Sequence, residues 1–165
     1  CSDTEISFIH DSDADGIVET NGEDDYYNPN TTDDSCKVFD KAGGGLTFVS
    51  PPEAILTTTN EPYRFTGAME VTGGVGSDVD DLIVFVRNIR KDACLSINDN
   101  LGIPNPSGDA PIENGTTTHL QFVGTYDGSS RIIGDNATEL AGQYAGCYYN
   151  TLDSRYEYYT VLLAR

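Results

Sequence analysis

The chain has 165 residues, enough for one domain or one domain with an elaborated end. Its 9 Lys and Arg stand against 27 Asp and Glu, a formal charge of −18, while 38% hydrophobic residues supply a core, so the composition is globular and acidic, not that of a disordered polyanion. Those few scattered cations cannot build the basic face that nucleic-acid backbones or anionic lipid require, which excludes both as partners and leaves cations as natural ligands.

Taken in chain order, residues 5–9 alternate polar and apolar side chains and predict a short strand. A long polar excursion follows and returns at Cys36. Eleven of the 27 acids lie in the first 36 residues, where there is no Lys or Arg at all. Within the excursion, Asp11, Asp13 and Asp15 occupy alternate positions before Gly16, as in the first half of a calcium loop. A hard cation takes several oxygen ligands at about 2.3–2.6 Å, and the glycine permits the sharp turn that aims later carbonyls inward. Ile17 would lend its carbonyl, and Glu19, Glu23 and Asp24 would complete the carboxylate set around Ca2+. The twelfth position of an EF-hand, a bidentate Glu, is Gly22 here, and no amphipathic helix flanks the loop, so the segment resembles the bare Asp-x-Asp-x-Asp-Gly loops of extracellular proteins. The plainer reading is a solvated acidic loop without metal.

Beyond Lys37, short apolar runs alternate with glycine and proline punctuation. They predict strands at 37–39, 46–49, 63–71, 119–126, 146–149 and 156–164, separated by turns at Gly43-Gly44-Gly45, Pro51-Pro52, Asp127-Gly128 and Asp153-Ser154. One segment breaks the period of two. Val79, Leu82, Ile83, Val86, Ile89, Ala93, Ile97 and Leu101 recur at three- and four-residue steps, predicting one long helix over about 78–101, capped by Ser77 with Asp80 and stopped by Gly102 before Pro104. The polar stretches 104–118 and 127–143 read as long loops. In the last strand Tyr156 and Tyr158 share one face and Tyr159 takes the other, so one row of rings must be buried or sit in an interface.

Four cysteines, Cys1, Cys36, Cys94 and Cys147, contain no CxxC pair, and an even number at wide spacing reads as an exported protein with two disulfides. Of the three connectivities, Cys1 with Cys36 and Cys94 with Cys147 closes loops within two composition blocks. Catalytic signals are thin. His10 and His119 are the only histidines, neither HExxH nor GxSxG occurs, and the glycine clusters at 43–45 and 73–76 lack the Lys-Ser/Thr pair of a phosphate loop. No enzymatic activity is expected.

Several short segments together resemble the globular heads of bacterial type IV pilin-like proteins and type II secretion pseudopilins. They are Cys1 with Ile6-Ser7-Phe8, Ser35-Cys36-Lys37-Val38-Phe39 with Gly43-Gly44-Gly45-Leu46, Cys94-Leu95-Ser96-Ile97-Asn98 with Leu101-Gly102-Ile103, Gly146-Cys147-Tyr148, and the closing Tyr158-Tyr159-Thr160-Val161-Leu162-Leu163-Ala164-Arg165. The resemblance implies a structural subunit of an extracellular or periplasmic filament, partnered by its own copies or other pilin-like subunits. Membrane contact would come only through an N-terminal apolar helix that this chain lacks. The calcium loop has no counterpart in the family and rests on its own chemistry. The expected architecture is a single α+β head domain over 1–165, an antiparallel sheet on one long helix with two disulfides, with 1–36 an acidic disulfide-closed region. The alternative function is a calcium-dependent secreted adhesin or glycan- or protein-binding module.

Overall fold

The computed structural model describes residues 1–10, 26–59, 62–77, 79–114, 120–126 and 131–165. They belong to two compact units, Cys1–Val49 with Gln121–Tyr126 and Ser50–Leu120 with Asp127–Arg165.

The second unit is an α+β fold built on the strands β1 (Tyr63–Val71), β2 (Asp81–Ile89), β3 (Ile112–Glu113), β4 (Ile132–Ile133), β5 (Ala145–Asn150) and β6 (Arg155–Leu163), with one α-helix, α1 (Lys91–Leu101), among the described residues. The long helix expected over 78–101 is therefore corrected: its first half is strand β2 and only its second half is helical. The reason is physical. β2 is a central strand, flanked by β1 and β6, and Leu82, Ile83 and Phe85 are all buried, so apolar residues occupy both faces and the period of two disappears. The β-branched and aromatic residues of 83–86 fit a pleated surface better than a helix. The expected cap at Ser77 is likewise replaced. Arg90, in an extended conformation, precedes the helix, and its guanidinium bonds both carboxylate oxygens of Asp92 at 3.1 Å. The predicted stop is in place: Gly102 adopts φ +74°, a left-handed conformation that a side chain resists, and the Ile103 amide closes on the Asn98 carbonyl at 2.9 Å.

The sheet runs β3-β5-β6-β2-β1-β4. Its four central strands pair antiparallel, as expected, but the outer pairs β3/β5 and β1/β4 are parallel, so the sheet is mixed. These outer strands have two residues each and lie in the segments expected to be loops, where no periodicity can announce so short an element.

Register then sorts the side chains. Phe85 stands beside Tyr159 and Ile83 beside Val161 on one face, where they join Met69, Ile133, Leu140 and Tyr148 in the larger core. Each such fully buried side chain contributes about 1.5–3 kcal/mol. Val86, Tyr158 and Cys147 align on the opposite face, against which α1 packs through Cys94. The opposite placement of Tyr158 and Tyr159 follows the alternation seen in the sequence. Disulfide Cys94–Cys147 fastens the helix to β5 across a Cα separation of 5.4 Å.

The first unit has no regular strand among its described residues. The strands expected at 5–9, 37–39 and 46–49 reduce to one parallel bridge, Ser7 with Lys37, beside disulfide Cys1–Cys36. Side chains replace the missing ladder. Buried Asn28 donates to the Thr4 and Ile6 carbonyls at 3.0 and 2.7 Å, and Thr31 donates to the Glu5 carbonyl at 2.7 Å. Gly124 (φ +82°) passes so close that a Cβ there would lie 2.6 Å from the Thr4 oxygen. Residues 120–126, also expected as part of a strand, form none; Phe122 packs edge-on to Phe8 with centroids 6.1 Å apart.

Candidate functional site

Two places carry chemistry. The first is a cleft of about 510 Å³ in the first unit, within the usual range for small-ligand sites, walled by Ile9, His10, Phe39, Leu46 and Phe48 with Lys41 among its lining. His10 stacks on Phe48 with centroids 3.8 Å apart, and Phe39 meets both rings edge-on. The His10 Nδ1 lies 2.9 Å from the Phe8 carbonyl. A carbonyl oxygen only accepts, so Nδ1 carries the proton, and in the neutral ring Nε2 holds the lone pair. That nitrogen can accept a proton or ligate a cation. Two of the other polar lining residues are committed: Lys37 pairs with Asp34 at 2.6 Å, and Asp40 accepts the Ala42 amide at 2.7 Å. The described lining residues hold no serine or cysteine beside the histidine.

The second place is a polar cluster inside the second unit. Glu157 on β6, fully buried, accepts from Tyr148 Oη at 3.0 Å, Asn150 Nδ2 at 3.2 Å and Arg155 Nε at 2.5 Å, while Arg155 also pairs with Asp153 at 2.6 Å. Glu113 on β3 is fully buried as well, and burial pushes its carboxyl up to about 7 against two backbone amides that favour the charge. Tyr159 donates to the Gln143 carbonyl at 2.9 Å; burial, with the nearby Glu113 carboxyl, raises its hydroxyl well above the ordinary phenol range. Both glutamates have no exposed surface, so no substrate reaches them in this conformation.

The structure bears unevenly on the residues singled out in the sequence. Cys1, Cys36, Cys94 and Cys147 form the two disulfides, in the pairing that the composition blocks favoured. Asp11, Asp13, Asp15, Ile17, Glu19, Glu23 and Asp24, together with His119, lie outside the described residues. Among the described residues, no group of three His, Cys, Asp or Glu is placed to hold a metal ion, and no helix is long and apolar enough to cross a membrane. Sequence reasoning missed Glu113, Glu157 and Asn98. For Glu157 a signal existed, because two residues before buried Tyr159 in a strand is the same face. Nothing local marks Glu113.

Comparison of the chain with protein-family models, with curated proteins and with solved structures returned no match. The class that the coordinates define is an α+β fold with a mixed, nearly closed sheet on a disulfide-tethered helix.

Proposed function

We propose that this chain is the globular head of an exported pilin-like subunit, working by assembly with its own copies or related subunits in an extracellular filament or secretion pseudopilus, and not by catalysis. The observation that carries the reading is the bolt between helix and sheet. Cys94–Cys147 is backed by Asn98, so the contact is covalent and hydrogen-bonded at one point, a construction suited to an oxidising compartment and to mechanical load. The short segments that resemble pilin-like heads include both ends of this bolt. Immunogold electron microscopy of source cells with antibody against the chain tests it. Labelling along surface filaments is the expected result; recovery only as free monomer in the medium would overturn it.

A second reading, a calcium-dependent binding module, is favoured by the aromatic cleft around His10, which immediately precedes the acidic segment proposed to hold Ca2+. Glycan- or receptor-array binding that disappears with chelator and in a Phe48→Ala variant supports this reading. Binding indifferent to both counts against it.

A further inference from the structure

The sheet of the second unit is closed by a side chain. Its outer strands are β3 and β4. Glu113, on β3, reaches the turn that follows β4, where its Oε1 accepts the Gly134 amide at 2.6 Å and the Ala137 amide at 3.3 Å. One carboxyl thus joins two strands that stand at opposite ends of the strand order, where an ordinary barrel would use a ladder of backbone bonds.

The second carboxyl oxygen has a different situation. Among the described residues Oε2, which is buried, accepts no hydrogen bond, and the Asp135 carboxylate of the same turn lies near enough to add a repulsion to the cost of burial. Burial first, and the nearby like charge second, disfavour the ionised carboxyl. From β6, the Tyr159 ring lies near enough to feel the Glu113 charge. The other glutamate buried among the described residues of this unit, Glu157, has Arg155 as its counter-charge. Glu113 has two amide donors on one oxygen and a like charge in the same turn.

We propose that Glu113 is a proton-controlled clasp: protonated, it rests in its buried place and bridges the β4 turn, and ionised, it loosens the seam between the two outer strands. The direction follows from linkage. A buried carboxyl whose proton affinity is higher in the closed form stabilises that form at low pH and loses this contribution as pH rises through its folded value. The pH window runs from the ordinary glutamate value of 4.5 up to about 7. The clasp is therefore tightest in mildly acidic surroundings.

The test is amide hydrogen exchange at Gly134 and Ala137 at pH 6 and pH 8, corrected for intrinsic rates, in wild type and in Glu113→Gln. Glutamine keeps the accepting oxygen and cannot ionise, so it mimics the protonated clasp. Wild-type protection should fall about tenfold between pH 6 and pH 8, the linkage expectation for a carboxyl moved from an open to a closed environment of this kind, while the Gln variant stays level. Equal pH dependence in both proteins, or none in wild type, would overturn the proposal. Should Glu113→Gln fail to fold, wild-type exchange followed in steps from pH 5 to pH 8 decides the matter: protection at Gly134 and Ala137 should fall through about pH 7 while that of the Ile103 amide at the helix end stays level, and an equal fall at all three would overturn the proposal.

Discussion

Asn98 offers a sharp test of how the helix is held. It is a polar residue with no exposed surface, one turn from the disulfide at Cys94. Its Nδ2 donates to the Cys147 carbonyl at 2.9 Å and to Asn105 Oδ1 at 3.0 Å, and its Oδ1 accepts the Cys147 amide at 2.8 Å. A single side chain therefore satisfies both backbone groups of one residue in β5. Asn98→Ala leaves that buried amide and carbonyl without partners, and at about 1–3 kcal/mol for each orphaned group the loss should be about 2–6 kcal/mol. Asn98→Asp separates the two halves of the interaction. The carboxylate still accepts the Cys147 amide, but its second oxygen faces the Cys147 carbonyl and Asn105 Oδ1, both acceptors. Burial and these neighbours hold the introduced acid above its ordinary range, so its protonated form is the one that fits. The variant should be nearly as unstable as Ala at pH 7 and recover as pH falls, the direction required when the folded state binds the proton more tightly. Urea unfolding under non-reducing conditions at pH 7 and pH 4.5 measures both effects. A loss below about 0.5 kcal/mol for Asn98→Ala, the range of an ordinary surface substitution, would refute the reasoning.

Arg155→Met strips the counter-charge from buried Glu157 while keeping much of the aliphatic bulk; because the Arg155 side chain is 21% exposed, the expected loss is about 2–3 kcal/mol, below that of a fully buried pair, read by thermal unfolding. Gly124→Ala requires both a left-handed backbone at φ +82° and a Cβ placed 2.6 Å from the Thr4 carbonyl oxygen, so it should destabilise the first unit by about 2 kcal/mol or more, visible in tyrosine near-UV circular dichroism. Tyr159→Phe removes only the donor to the Gln143 carbonyl and should cost about 1 kcal/mol by urea unfolding, with the ring's packing retained. Calorimetric titration with calcium should show weak binding, on the order of 10⁻⁴ to 10⁻³ M, that disappears when Asp11, Asp13 and Asp15 are changed to Asn; no heat with the unaltered chain would remove calcium from the account.

What was legible in the sequence is what depends on neighbours along the chain. Gly102 before Pro104 stops the helix because the left-handed conformation is a property of one residue, and β1 and β6 appear nearly where the apolar runs place them. The alternation that separates Tyr158 from Tyr159 needs only strand geometry. Tertiary structure decided the rest, because it turns on groups distant in sequence. The segment 81–89 is a strand since β1 and β6 supply partners on both sides, and a run buried on both faces carries no period that separates helix from strand. Asn98 is buried only because the Cys147 backbone meets its amide, and Glu113 only because the β4 turn meets its carboxyl. A polar residue in a polar stretch reads as surface until a partner from elsewhere in the chain takes the place of water.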